Sequence, residues 1–266
     1  IQQMTGGEAA NSSIVLSRLG ARVKLDGSWI GTDDGGRCTK SLLSDNLIDT
    51  SRLPLKEGYE GVQEVVFAAQ GTRTIFGTYC RLLEDANWNM PHENDVRQAK
   101  VICLDPFFSR PASRVAEIAS DENIPVVTID CQYDDPLLRY ASVVVVAESY
   151  LQDQYAEREL KELFRQYQDA ATGLVVFTFG ESAIWYARTG EAVKLFQPYT
   201  VQAVDTSGGG DAFRAGIVFG LLKEWDENQM LDFAAAVAAL VCTRTPGVLN
   251  SPNLDEVFDF MAAEST

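Results

Sequence analysis

Residues 204–222 read VDTSGGGDAFRAGIVFGLL, so three glycines stand between Asp205 and Asp211, directly ahead of an apolar helical run. A helix start presents N–H groups without intrahelical acceptors, together with a partial positive charge. Glycines in front of it let the backbone approach a ligand closely. The combination is an anion pocket suited to phosphate, and Asp211 in the first helical turn sets a carboxylate at its edge. A flexible loop with an ordinary aspartate cap is the competing reading of the same residues. Other phosphate and nucleophile patterns fail. No G-x-x-x-x-G-K-[ST] occurs in the chain. A G-x-G-x-x-G counted from Gly208 ends on Phe213, and a G-x-S-x-G centred on Ser207 needs glycine where Asp205 stands.

Outward from this stretch the chain alternates strands with helices. Residues 100–105 (KVICLD), 124–130 (IPVVTID), 141–149 (ASVVVVAES) and 173–180 (GLVVFTFG) read as buried strands. Residues 109–122 read as a helix, and 151–170 as one amphipathic helix carrying Leu160, Leu163, Phe164 and Tyr167. AIWYA (183–187) and AVKLF (192–196) form a hairpin, and two helices, 211–224 and 228–242, close the chain. Upstream, residues 8–20 read as a helix ending at Gly20 and residues 21–31 as a strand. A turn at TDDGG (32–36), a helix near 37–45 and a loop over 48–61 follow. VQEVVFAA (62–69) and TRTIFGTY (72–79), separated by Gln70-Gly71, read as a hairpin. Continuous Val/Ile runs between helices imply a mainly parallel sheet covered on both faces, hence an α/β fold. No composition break marks a second domain. The hairpin at 62–78 is the one element placed to leave the main sheet.

The formal charge of −16, from 22 basic and 38 acidic residues, argues against a nucleic-acid binder or a ligand of anionic membranes. Backbone amides still bind a small phosphorylated ligand. Cys38, Cys80, Cys103, Cys131 and Cys242 are scattered, odd in number and without a CxxC pair, a reducing-cytosol pattern. Cys103 and Cys131 end strand-like runs, where cysteine serves as a small apolar residue. His92 is the single histidine, so a zinc site is not expected. The polar start lacks the apolar core of a signal peptide, and the apolar runs are too short to span a bilayer. A cytoplasmic location is the expectation.

DTSGGGDAF (205–213) resembles the D-T-x-G-A-G-D-x-F signature of the ribokinase-like (PfkB) carbohydrate kinases, with Asp205, Thr206, Gly208, Gly210, Asp211 and Phe213 in place. Gly209 stands where that family carries alanine, a mild change that keeps the amide. GGEAANSSIVLSRLGARV (6–23) resembles the family's other signature through Gly6, Gly7 and Asn11. GTDDGG (31–36) and GLVVFTFGESA (173–183) fit in order and spacing, so the resemblance covers nearly the whole chain.

The resemblance implies a three-layer fold, with a central sheet flanked by helices and a small β lid at about 62–78, in a single kinase domain over 1–266. It implies ATP as phosphate donor, Mg2+, and a monovalent cation such as K+. Asp211 becomes the base that takes the sugar hydroxyl's proton, and the amides of Gly208, Gly209, Gly210 and Asp211 become the hole for the transferring phosphoryl group. Gly6, Gly7 and Asn11 lie against the sugar, Arg73 reaches over it from the lid, and Asp205 contacts the sugar or shapes the loop. Thr178 and Gly180 line the nucleotide cleft. Relatives usually begin with an aspartate-bearing strand upstream of the glycine pair, whereas these residues start at the pair itself. Many carry N-x-x-E after the strand corresponding to SVVVV, where this chain reads Ala147-Glu148-Ser149-Tyr150. Glu148 is the remaining candidate for the metal. The expected partners are a sugar, ATP and a second copy of the chain joined through the lid. A nucleoside kinase and a non-catalytic sugar or nucleotide sensor are the alternatives on the same fold.

Overall fold

The computed structural model describes residues 4–27, 29–59, 63–69, 72–77, 89–107 and 109–264. Four consecutive valines set its architecture. Val143, Val144, Val145 and Val146 are each at most 2% exposed, and alternate members enter different hydrophobic clusters. Side chains alternate across a strand, so a strand of this kind lies in the middle of a sheet covered on both faces.

The strand is β9 (Val143–Ala147) of a six-stranded sheet. Its neighbours are β8 (Val126–Ile129) and β10 (Leu174–Phe179), both parallel to it, with β7 (Ile102–Leu104) parallel beyond β8. On the other side β11 (Ser182–Ala187) and β12 (Lys194–Phe196) continue antiparallel as the expected hairpin. One face packs on α1 (Glu8–Arg18), α7 (Gly209–Leu222) and α8 (Glu227–Cys242), through Ile14, Phe213, Ile217 and Phe233. The opposite face packs on α6 (Leu160–Ala170), through Leu163, Phe164 and Tyr167. Helix α4 (Ser109–Asp121) covers β7 and β8 with Ala112, Ala116 and Ala119. Cys131 lies within the α6 cluster, and burial pushes its thiol up to about 12, in keeping with a small apolar role.

Several sequence expectations are corrected. The strand expected over 21–31 is two short ones, β1 (Lys24–Asp26) and β2 (Ile30–Gly31). They pair in parallel with β3 (Asp49–Arg52) and β4 (Leu55–Lys56), strands that occupy the supposed loop. The helix near 37–45 is α2 (Asp34–Asp45), starting earlier because Asp33 caps it, accepting from the Gly36 amide at 2.9 Å. The helix over 151–170 is broken into α5 (Glu148–Tyr155) and α6, because the Glu159 carboxylate caps a new start at the Lys161 amide. A third closing helix, α9 (Leu254–Glu264), follows the two expected ones. A short α3 (Glu93–Gln98) precedes β7, and exposed His92 beside it contacts Asp26 at 3.2 Å.

The hairpin is present as β5 (Glu64–Ala69) and β6 (Thr72–Gly77), an antiparallel pair bonded to no other strand among the described residues. Its Gln70-Gly71 turn lies outside them.

Helix α7 is seated by close approach to α8. A Cβ on Gly216 would stand 2.4 Å from the Ala234 Cα, so that position accepts no side chain. The α7 axis, and with it the glycine run at its head, is thereby held against the core.

Candidate active site

The loop before α7 is a tight turn. The Asp205 carboxylate accepts from the Ser207 amide at 2.9 Å, and the Gly209 amide donates to the Thr206 carbonyl at 3.2 Å. The amides of Val204 and Asp205 both donate to the Cys242 carbonyl at the end of α8. Gly208 caps the helix in the left-handed region, at φ 79°, and a Cβ there would lie 2.3 Å from Val248 Cγ2. Glycine is therefore required twice over at this position. A Cβ on Gly210 would meet nothing within 4 Å, so that residue borders open space. Gly209 differs, because its Cβ would stand 3.0 Å from Cys242 Sγ. A methyl at this position would need the sulfur to give by a few tenths of an ångström, so Gly209 and Cys242 are fitted to each other. The Gly209 amide is also engaged within the turn, while that of Gly210 belongs to the first helical turn, which has no intrahelical acceptor.

Helix α1 brings the second motif to the same place. Gly7 caps it at φ 95°, and Asn11 in the second turn donates from Nδ2 to Asp211 Oδ2 at 2.8 Å. Ser12 Oγ donates to the Asp211 carbonyl at 3.1 Å and accepts from Arg214 Nε and Nη2 at 3.1 and 3.0 Å. Arg214, one turn beyond Asp211, is fully buried. Its Nη2 lies 3.8 Å from Asp211 Oδ1 and its Nη1 lies 3.8 Å from Glu8 Oε2. The Asp211 carboxylate is thus oriented from both oxygens.

Two further carboxylates arrive from the sheet. Asp105 directly follows β7 and Asp130 directly follows β8, at the carboxyl ends of neighbouring parallel strands, where ligands bind in open α/β sheets. Burial pushes Asp105 above the usual carboxylate range, and it pushes Asp130 up to about 6 against the opposing 2.8 Å bond from the Ala147 amide. Burial and then the Asp105 charge push Glu8 up to about 7. Asp105, Asp130, Glu8 and Arg214 were missed in the sequence reading. The available signal was an aspartate immediately after each of two valine-rich or isoleucine-rich strands.

The remaining expected residues are placed as follows. A Cβ on Gly6 would lie 3.8 Å from the carboxylate of Glu64, so the first residue of the lid borders the glycine pair. Arg73 pairs with Ala68 across the ribbon, and its side chain lies outside the described residues. Thr178 is the penultimate residue of β10, paired with Ala147, and Gly180 turns the chain into β11 at φ 61°. They lie at the carboxyl end of the sheet, without a hydrogen bond to the glycine run. Glu148 is exposed on the first turn of α5 and accepts from Gln152 Nε2 at 3.2 Å. Among the described residues no three His, Cys, Asp or Glu side chains are grouped to hold a metal ion. The described side chains therefore do not form a magnesium cage around Glu148. No helix among them is long and apolar enough to cross a membrane.

Residues 1–254 match the family described as pfkB family carbohydrate kinase. The chain is 25% identical to the ribokinase of Haemophilus influenzae over 272 residues, covering 96% of this chain and 87% of that protein. It is 24% identical to a 5-dehydro-2-deoxygluconokinase of Clostridium botulinum over 285 residues, covering 96% and 83%. In structure it resembles the ribokinase of Arabidopsis thaliana complexed with ribose and ATP. The TM-score is 0.85 at 19% identity, covering 98% of this chain and 88% of that one.

Proposed function

The chain belongs to the pfkB family of carbohydrate kinases, and from that premise we propose that it moves the γ-phosphoryl group of ATP to a hydroxymethyl oxygen of a sugar, with Asp211 as general base. One observation carries the reading. Asn11 and Asp211, 200 residues apart in the chain and each from a different motif, meet in a 2.8 Å hydrogen bond beside the glycine run. Phosphoryl transfer needs alignment and charge stabilisation more than covalent chemistry, and a helix start with an oriented carboxylate supplies both.

In this reading the acceptor hydroxyl lies between Asp211 and the amides at the head of α7. Asp211 takes its proton as the oxygen attacks phosphorus. The Gly210 and Asp211 amides face the equatorial phosphoryl oxygens, and Gly208 supplies the turn that aims them. Asp205 shapes the loop through its bond to Ser207. Asn11 and the glycine pair Gly6-Gly7 border the sugar, with Arg73 above it. Thr178 and Gly180 border the nucleotide at the carboxyl end of β10. Magnesium enters with the nucleotide phosphates, a common mode for that ion, and no step is assigned to Glu148 or to a monovalent cation.

The test is a screen of neutral sugars, sugar acids, sugar phosphates and nucleosides for ATP-dependent ADP release, with the product identified by mass. A gain of one phosphoryl group on a sugar sustains the proposal. Phosphorylation of nucleosides alone, or binding without turnover, would replace it.

A further inference from the structure

Arg214 is the charged residue in the buried span of α7, where Ala212 through Gly220 are otherwise apolar. Its guanidinium is fully buried, yet its hydrogen bonds, from Nε and Nη2, both end on the Ser12 hydroxyl, and Nη1 makes none. A buried charge is costly unless it is paired and hydrogen-bonded, so packing alone gives no reason for an arginine here. Its ionic partners are Asp211 Oδ1 and Glu8 Oε2, each 3.8 Å away. At that distance the guanidinium acts on the Asp211 carboxylate through its charge rather than through a hydrogen bond. Ser12, which accepts from Arg214, also donates to the Asp211 carbonyl, so one hydroxyl ties the cation to the residue it faces.

The titratable groups around Arg214 are Glu8 from α1, Cys103 in β7, Asp105 and Asp130 after β7 and β8, and Asp211 on α7 itself. Burial pushes the Cys103 thiol up, so it carries no charge. Burial also pushes Glu8 up to about 7, Asp130 up to about 6, and Asp105 above its ordinary range. These three carboxyls therefore take up protons as pH falls below neutral, and they compete less for Arg214 there.

We infer that Arg214 is a positioning residue for the reaction: anchored by Ser12, its charge keeps the Asp211 carboxylate ionised, and so able to act as base, on the acid side of neutrality. The inference rests on the reading of Asp211 as base and adds the group that sets its proton affinity. A cation within about 4–6 Å lowers an aspartate by roughly 1–3 pH units.

Two substitutions test it. Arg214→Gln keeps a donor for Ser12 and removes the charge, whereas Arg214→Lys keeps the charge. In protein labelled with carbon-13 at the aspartate carboxyls, Asp211 is the resonance lost in Asp211→Asn, and its titration is followed by NMR without any acceptor. Arg214→Gln is expected to raise the Asp211 midpoint by about 1 pH unit or more, and Arg214→Lys by less than half as much. Should Arg214→Gln fail to fold, Arg214→Met removes the same charge with an apolar chain, a replacement that buried ion-pair sites often tolerate, and the expectation is the same. A midpoint that does not move when the charge is removed, or that rises equally in the lysine variant, would overturn the inference and leave Arg214 a packing residue. With an acceptor that the chain phosphorylates, the acid limb of kcat against pH should rise with the midpoint while the acceptor KM stays nearly unchanged; an unmoved limb also overturns it. Absence of phosphorylation with every acceptor counts against the kinase reading alone, because the carboxyl titration is read without turnover.

Discussion

Asn11 Nδ2 stands 2.8 Å from Asp211 Oδ2, while Arg214 Nη2 stands 3.8 Å from the other carboxylate oxygen. The carboxylate is held in one orientation from two directions by α1 and α7. In the proposed mechanism Asp211→Asn keeps size and helix start but removes the base. Turnover is expected to fall by roughly 10²–10⁴-fold, with ATP and acceptor affinities nearly unchanged because the loss belongs to the transition state. Single-turnover kinetics beside calorimetry measure the split. Near wild-type turnover would remove Asp211 from the role.

Gly209 and Cys242 form a matched pair, since a Cβ on the glycine would lie 3.0 Å from the sulfur. Gly209→Ala is expected to destabilise the fold and slow turnover, and Cys242→Ala should relieve both in the double variant. Contacting residues of this kind couple by about 0.5–3 kcal/mol in a double-mutant cycle. Chemical denaturation of the four proteins measures it, and strict additivity would show that the loop accommodates the methyl without help.

Asp130 makes stability depend on pH in a stated direction. Its folded value of about 6 lies above the ordinary aspartate value of 3.8, so the folded state holds the proton more tightly. Its stabilising contribution is full below about 4 and is lost as pH rises through about 6. Asp130 also sits at φ 46°, a backbone region that asparagine tolerates, which makes Asp130→Asn a fair control. The variant is expected to lose less Tm than the parent between pH 5 and pH 8. Parallel Tm curves would contradict this.

The lid carries apolar side chains outward, with Val65 at 57% and Phe67 and Phe76 at 62% exposure, the two rings 6.0 Å apart edge to face. A two-stranded ribbon is marginal alone, so a homodimer through paired lids is the expected assembly. Sedimentation at micromolar concentration should find a dimer for the parent chain and a monomer for Phe67→Glu combined with Phe76→Glu. A monomeric parent would end the proposal.

Much of this chain is legible one residue at a time. The valine and isoleucine runs specify buried parallel strands, because continuous apolar β-formers have no solvent-facing side to fill. The glycine run ahead of an apolar helix is legible as a candidate anion pocket, because backbone amides and φ are local properties. The β5–β6 ribbon follows from two alternating runs on either side of Gln70-Gly71. Other features depend on neighbours distant in sequence. The division of residues 148–170 into two helices turned on the Glu159 cap and on which side chains reach the sheet. Cys242 beside Gly209, and Arg214 between Glu8 and Asp211, join positions far apart in the chain. Asp105 and Asp130 are ordinary aspartates in the sequence. They come beside Glu8 and Asp211, with raised pKa values, only when parallel strand ends and two helix starts are brought together, since electrostatic energy depends on distance and burial, and neither is a property of a residue alone.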